Sequence, residues 1–190
     1  AGARNIKINI GLSAKDQLQN LNISIEDDGC GFTDENFRKF GKLFDVDERT
    51  HKGLGRLVYL CYFDNIHIES VYKEYIKRIF DFNEKFEGKF VIQDTSQEHT
   101  GTILKMHTFS GQKLGKNEYI NPTYIKNALL ENFYMKFYKA KNDKNPIFVK
   151  IKANIAGNIK EESITDKDLP DFEVKPLNEK VDLFNKIDLY

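Results

Sequence analysis

Apolar and polar residues alternate along two short stretches near the start of the chain. From Asn5 to Ile10 every second residue is isoleucine, and a similar alternation of leucine or isoleucine with polar residues runs from Leu21 to Ile25. A period of two is typical of a half-buried β-strand. The polar stretch SAKDQLQN between them predicts a turn, so the two stretches predict an antiparallel pair of strands.

Two further segments carry helical or apolar patterns, with a charged stretch between them. Thr33 or Asp34 is suited to cap a helix over about residues 35–43. The apolar stripe of that helix comprises Phe37, Phe40 and Phe44. The charged stretch DVDERTHK (45–52) predicts a surface loop. Leu57 to Phe63 is almost continuously apolar, which fits either a buried helix or a central strand.

The rest of the chain predicts a meander, a long helix and a closing pair of strands. The four strands of the meander are expected at residues 65–72, 75–82, 89–93 and 102–107. Asn121 followed by Pro122 is a common helix start, and the helix is predicted to end near Tyr138. Its buried stripe is expected at Ile125, Leu129, Phe133 and Phe137. The closing strands are expected at residues 147–155 and 159–164, and a short terminal helix at 181–190.

Composition narrows the class of protein. The chain has 190 residues, which suits one domain or one domain with a smaller appendage. Its 29 basic and 29 acidic residues give no net charge, which does not support nucleic-acid binding but leaves a local basic face open. Cys30 and Cys61 are too few for a zinc site and favour a reducing, cytoplasmic setting. No apolar run reaches the roughly 18 residues of a membrane span, so no membrane partner is expected.

Glycines in three places suggest a binding function. In DDGCG (27–31), two glycines follow a carboxylate where a strand is predicted to end, which indicates a backbone that lets a ligand approach closely. HKGLGRL (51–57) and TGT (100–102) are the other two places. Neither of the first two continues to the third glycine of the dinucleotide-binding motif, and no P-loop or calcium-loop spacing is present.

The order of these features resembles the GHKL ATPase superfamily, which includes gyrase B, histidine kinases, MutL and the ninety-kilodalton heat-shock chaperone. The shared order is strand, D-x-G-x-G, helix, charged loop, G-x-G before an apolar segment, meander and T-G-T, and it covers about Ala1 to His107. The resemblance implies an α+β two-layer sandwich of the Bergerat type, with a mixed, largely antiparallel sheet and helices on one face. Residues 1–110 are expected to form the ATP-binding domain without its first helix. Residues 111–190 are expected to form an extension or the start of a second domain.

The resemblance also implies a nucleotide site. Asp27 is expected to accept a hydrogen bond from the adenine amino group, while Gly29 and Gly31 form the pocket floor. Asp28 occupies the variable position of the motif and is not given that role. Thr102 is expected to join Asp27 through a water molecule. By the same resemblance, HKGLGRL corresponds to the second glycine box of the family, where the start of a helix meets the phosphates. The free N–H groups of a helix start favour anions, which agrees with that role. The residues of this glycine box are Lys52, Gly53, Leu54, Gly55 and Arg56.

The catalytic residues of the family are expected outside this chain. In the family, a helix before the first strand carries a glutamate that activates water and an asparagine that holds Mg²⁺. The first residues, AGARNIKINI, resemble the end of that motif and the strand after it. No catalytic or metal-binding residue is therefore predicted here, and the chain alone is expected to be hydrolytically inactive or nearly so.

The function predicted for the intact protein is ATP binding with slow hydrolysis, in which the nucleotide closes a lid and switches the conformation. A homodimer or a protein partner is expected to respond to that switch. Two alternatives stay open: a catalytically silent module of the same fold that binds a partner protein, and a MutL-like DNA-processing ATPase. Several other residues are interpreted as core, namely Cys61 and the aromatic cluster Phe133, Tyr134, Phe137 and Tyr138.

Overall fold

The computed structural model describes residues 2–41, 57–111 and 117–169, and the backbone of two short strands nearer the end of the chain. The strands of the main sheet are β1 (Asn5–Leu12), β2 (Asn22–Asp27), β3 (Phe63–Lys73), β4 (Ile76–Phe82), β5 (Val91–Asp94), β6 (Gly101–Phe109), β7 (Phe148–Ile155) and β8 (Asn158–Ile164). The helices are α1 (Asp34–Gly41), α2 (Leu57–Leu60) and α3 (Pro122–Asn142). Short 3-10 turns cover Leu18–Asn20, Asn117–Ile120 and Asp166–Asp168.

The eight strands form one sheet in the order β5-β4-β3-β6-β2-β1-β7-β8. β1 and β7 run parallel, and the other neighbouring strands are antiparallel. The sheet is therefore mixed and largely antiparallel, as the sequence predicts. The hairpin β7–β8 follows α3 and continues the same sheet beside β1.

Strand register gives the sheet one apolar face. Residues opposite one another in neighbouring strands point to the same side, so the pairings define rows that cross the sheet. One such row comprises Phe82, Ile66, Met106, Ile23, Ile10 and Ala153, and the next comprises Phe80, Ile68, Leu104, Ile25, Ile8 and Ile151. Phe37 of α1, Leu60 of α2 and Phe137 of α3 pack into these clusters. The helices thus cover one face, which gives an α+β two-layer sandwich.

Local signals place several of the helix starts. Thr33 caps α1, because its side-chain oxygen accepts the Asn36 backbone N–H at 3.2 Å. Asn121 caps α3 by accepting the Thr123 N–H at 3.2 Å, and Pro122 opens that helix. The apolar run that fits either a helix or a strand contains part of each. It begins with α2 and, after a turn, enters β3 at Phe63.

Two burial predictions are wrong. Cys61 is exposed, because it lies in the turn between α2 and β3. Phe133 is 44% exposed, and its backbone leaves helical geometry (φ −123°, ψ 16°). Phe137, the next residue in the spacing of four, is 5% exposed, so the exposure of Phe133 coincides with the break in helical geometry at that residue. Burial passes to Phe137 and Tyr138 beyond this irregularity.

The end of the chain also differs from prediction. Asp188–Leu189 pairs as a strand with Lys175–Pro176, where part of a terminal helix was expected. The rest of that expected helix, residues 181–187 and 190, lies outside the described residues. Within the described part of the chain, no helix is both long enough and apolar enough to cross a membrane.

Candidate functional site

A row of polar residues crosses one end of the apolar face. Arg78 in β4 lies opposite Ser70 in β3, Ser70 lies opposite Thr102 in β6, and Thr102 lies opposite Asp27 at the end of β2. Arg78, Ser70 and Thr102 are 2%, 0% and 5% exposed. Polar groups are costly to bury without partners, so their arrangement requires an explanation. We call these four residues the polar row.

The Asp27 carboxylate has one oxygen bonded to the loop and one oxygen open to a ligand. Its Oδ1 accepts the Gly29 backbone N–H at 2.8 Å, and among the described residues its other oxygen has no hydrogen-bond partner. Burial raises the pKa of Asp27, the neighbouring Asp28 adds to this, and the Gly29 N–H opposes it. The half-buried carboxylate is thus positioned to accept a hydrogen bond from a ligand.

Both carboxylate oxygens of the adjacent Asp28 accept hydrogen bonds from within the protein. Its Oδ1 accepts the backbone N–H groups of Arg4 at 2.7 Å and Asn5 at 2.9 Å, and its Oδ2 accepts the Asn5 side-chain amide at 2.6 Å. Burial alone would raise the pKa of Asp28, but these hydrogen bonds from Asn5 and Arg4 outweigh it and lower the pKa. Asp28 therefore ties the loop to the start of β1.

The two glycines of the loop have different structural roles. Gly29 supplies the N–H that Asp27 accepts. Gly31 has φ +68°, and a Cβ added there would lie 2.5 Å from the Val71 carbonyl oxygen and 2.6 Å from Ser70 Oγ. Only glycine allows the loop to pack this closely on β3. The loop backbone is held against the sheet immediately beside Asp27.

Thr102 lies on the strand next to Asp27. Their backbones are paired directly across β2 and β6, and the Thr102 hydroxyl lies 3.1 Å from Ser70 Oγ. Ser70 Oγ also donates to the Gly101 carbonyl oxygen at 3.3 Å. The neighbouring Gly101 packs against Asp27, since an added Cβ would overlap the Asp27 carbonyl oxygen. Four of the predicted site residues, Asp27, Gly29, Gly31 and Thr102, therefore lie together. A water molecule between Asp27 and Thr102 stays a prediction.

The remaining predicted site residues, Lys52, Gly53, Leu54, Gly55 and Arg56, lie outside the described residues. Two residues of the polar row, Ser70 and Arg78, were not predicted. A signal for both exists in the sequence. Ser70 continues the alternation of Ile66 and Ile68, and Arg78 continues that of Phe82 and Phe80, which places polar side chains on an otherwise apolar face.

Cavities lie elsewhere in the described part of the chain, including two of about 610 and 420 Å³ around Asn83 and Lys85 after β4. One of about 630 Å³ lies beside β1, β7 and β8 and is lined by Asn5, Phe148 and Thr165 among others, but its charged residues Lys150 and Glu161 already pair at 3.2 Å. Another of about 360 Å³ lies near the start of α3. Among the described residues, no group of three or more His, Cys, Asp or Glu is placed to hold a metal ion. The Asp27 carboxylate, with one oxygen without a partner among the described residues, is therefore a candidate for ligand binding.

Comparisons with known proteins give structural likenesses only. No family model matches the sequence, and no curated protein matches it. Among solved structures, the 43K ATPase domain of Thermus thermophilus gyrase B, in complex with an aminocoumarin, is 16% identical with a TM-score of 0.49. The N-terminal domain of a DNA repair protein is 14% identical with a TM-score of 0.45. Each match covers 85% of this chain, which spans 40% and 46% of the two matched chains. Likenesses of this size do not identify a ligand.

Proposed function

We propose that this chain binds ATP at the end of β2, as a nucleotide-binding domain of the GHKL type. The observation that carries the proposal is the half-buried Asp27 carboxylate, which has one oxygen without a partner among the described residues. Because Asp27 is only half-buried, this oxygen is open to a ligand, and a ligand that supplies an N–H group can donate to it. The adenine amino group is such a donor, whereas guanine presents a carbonyl oxygen at the same position.

The surroundings of Asp27 hold the loop in a fixed position beside the proposed ligand. Gly29 donates its backbone N–H to the Asp27 carboxylate, and Gly31 allows the loop to pack closely on β3. Thr102 lies on the strand next to Asp27, and its hydroxyl is hydrogen-bonded to Ser70 Oγ at 3.1 Å. In this proposal Asp27 reads the amino group, and Thr102 holds a water molecule beside it.

The phosphate part of the proposal rests on the sequence resemblance. Lys52, Gly53, Leu54, Gly55 and Arg56 would contact the phosphates, with the two basic side chains making charge-assisted hydrogen bonds. Mg²⁺ would neutralise phosphate charge. In the intact, cytoplasmic protein, ATP binding would close a lid, switch the conformation and precede slow hydrolysis. Residues 1–110 would form the nucleotide-binding part, with residues 111–190 as its extension and a homodimer or protein partner as the responder.

Calorimetric titration of ATP, ADP and GTP with Mg²⁺ tests the proposal. We expect both adenine nucleotides to bind and GTP to bind at least about tenfold more weakly, since an acceptor would face an acceptor. Asp27→Asn is expected to weaken ATP binding by about 10- to 100-fold. Asp16→Asn is the matched control, because Asp16 is exposed in the connection between β1 and β2, and it should bind like the wild type.

Two results would overturn the proposal. One is a wild-type chain that binds no adenine nucleotide, and the other is an Asp27→Asn variant whose affinity for ATP is unchanged. Either result would favour the silent interaction module, in which the same fold serves as a scaffold for a protein partner.

A further inference from the structure

The buried Arg78 is an unusual feature of the covered face. Its side chain is 2% exposed, although an arginine loses several kcal/mol of hydration when it is buried. The rings of Tyr72, Phe90 and Phe37 lie 4.5, 4.6 and 4.8 Å from its Cζ atom. Within the described part of the chain, its Nε–H has no hydrogen-bond partner. An arginine left partly unsatisfied in an apolar environment is weakly explained by stability alone.

The guanidinium of Arg78 contacts the residues that follow the glycine loop. Its Nη1 donates to the Phe32 carbonyl oxygen at 2.6 Å, and its Nη2 pairs with the carboxylate of Asp34, the first residue of α1. The planar fork of arginine allows both contacts at once, which the single ammonium of lysine cannot reproduce. Arg78 thus joins β4 to both the end of the loop and the start of α1.

Ser70 also binds the backbone of Phe32. Its Oγ accepts the Phe32 backbone N–H at 2.7 Å, while Arg78 donates to the Phe32 carbonyl oxygen. Both polar backbone groups of Phe32 are therefore bound by side chains of two adjacent strands. Phe32 directly follows Gly31, which packs on Ser70 and Val71. The exit of the loop is fixed on β3 and β4, and its entry is fixed by the pairing of β2.

We infer that Arg78 is a positioning residue for the nucleotide site: by holding Phe32 and Asp34, it fixes the Gly29–Gly31 backbone relative to the Asp27 carboxylate. This inference rests on the proposed function. Ser70 assists from the neighbouring strand. A base that must meet both the carboxylate and the loop backbone gains affinity when the two are already correctly spaced, because no ordering has to follow binding. Arg78 therefore affects ATP affinity without touching ATP.

The test compares Arg78→Met with Arg38→Met by calorimetry at a temperature well below the melting temperature of each variant. Arg38 is an exposed arginine of α1 and provides the same chemical change away from the loop. We expect Arg78→Met to weaken ATP binding by about tenfold and to reduce the preference for ATP over GTP. Arg78→Lys should show nearly the same losses of ATP affinity and of preference for ATP over GTP, because lysine cannot contact both Phe32 and Asp34. Arg38→Met should leave both unchanged.

The amide chemical shifts of Gly29 and Gly31 provide a second measurement. In a sample that remains folded, a general loss of stability does not change these shifts. Arg78→Met should shift both signals, and Arg38→Met should not. Should Arg78→Met fail to fold, Asp34→Asn replaces it, because the Asp34 side chain is 89% exposed and its change removes only the ion pair. That variant is expected to shift the same amides and to weaken ATP binding by about threefold.

The outcomes separate this inference from the proposed function. A wild type that binds ATP, together with an Arg78→Met variant that binds equally well, overturns the role of Arg78 and leaves the ATP site in place. A wild type without nucleotide affinity overturns the ATP site, and the role of Arg78 at the nucleotide falls with it. The amide shifts then show separately whether Arg78 positions the loop.

Discussion

Charged residues on the two faces of the sheet differ in how completely they are paired. On the open face, Glu69 accepts hydrogen bonds from Lys77 and Lys105, both at 2.7 Å. His67 and Asp81 lie 2.8 Å apart on the same face. On the covered face, Asp27 and Arg78 each keep a polar atom without a partner among the described residues. Glu69 and Ser70 are neighbours in β3, so one strand contributes to both arrangements.

This difference is the reverse of what stability alone favours. Water can satisfy an unpaired group on the open face at little cost, whereas on the covered face an unpaired group loses its hydration. Glu69 is nevertheless paired with two lysines, whereas the Nε–H of the buried Arg78 has no partner among the described residues. Natural sequences depart from local rules of satisfaction mainly where function requires it. The polar row is therefore consistent with the proposed ligand site.

Replacing Gly31 should have the largest effect on the covered face. Gly31→Ala combines a positive φ with a Cβ that would lie 2.5 Å from the Val71 carbonyl oxygen. Gly157→Ala is the matched control, since Gly157 also has a positive φ (+80°) but no atom within 4 Å of an added Cβ. We expect losses in the free energy of unfolding of about 3 kcal/mol for Gly31→Ala and about 1 kcal/mol for Gly157→Ala, measured by urea denaturation. Equal losses would show that the loop does not depend on its close approach to β3.

Glu69→Gln tests the open face. Hydrogen bonds from Lys105 and Lys77 lower the pKa of Glu69 from 4.5 to about 2. A lowered pKa adds stability above the unfolded value, and this contribution is lost as the pH falls from about 4.5 to about 2. After allowance for screening, we expect Glu69→Gln to cost about 1 to 2 kcal/mol at pH 7 and almost nothing near pH 2.

Glu84→Gln, at an exposed glutamate after β4, is the control for this experiment and should show little loss at either pH. Urea denaturation of both variants at several pH values provides the measurement. A Glu69→Gln variant as stable as the wild type at pH 7 would mean that the open-face pairs contribute nothing, and the contrast between the two faces would lose one side.

Local sequence patterns predict many of the helices and strands of this fold. The features that the sequence did not reveal depend on pairing between residues far apart in the chain. Thr33 and Asn121 mark helix starts by accepting backbone N–H groups three and two residues further along the chain, and Pro122 follows Asn121. The alternation in β1 and β2 shows which side chains face inward. The position of β7 beside β1 depends on a parallel pairing between residues more than 100 positions apart in the chain, which no local pattern encodes.

The candidate site divides in the same way. Asp27 and Thr102 could be named because each belongs to a short motif. Ser70 and Arg78 have no motif, and their roles appear only once β3 and β4 are aligned with β6 and the loop packs on them. The exposed Phe133 shows the opposite failure, because the local spacing of four did not reveal that the helix changes its geometry at this residue.

The smallest expected effect compares two adjacent aspartates. Burial raises the pKa of Asp27, so its contribution to stability is largest at low pH and is lost as the pH rises through the raised pKa. The ionised form at pH 7 is thus a cost, and Asp27→Asn keeps an oxygen that can accept the Gly29 N–H. We expect its free energy of unfolding at pH 7 to be unchanged or higher by up to about 1 kcal/mol.

Asp28→Asn should change stability in the other direction, because the pKa of Asp28 is lowered and its contribution is present at neutral pH and lost as the pH falls. The new amide group would oppose the Asn5 side-chain amide or one of the two backbone N–H groups that Asp28 accepts. A loss of about 1 kcal/mol is expected at pH 7, measured by urea denaturation beside Asp27→Asn. If both variants lost stability equally, Asp27 would be another structural anchor, and its unpaired oxygen would no longer indicate a ligand. Opposite signs would separate the two roles within one dipeptide: Asp28 stabilises the loop, and Asp27 lowers stability at a position where a ligand can restore it.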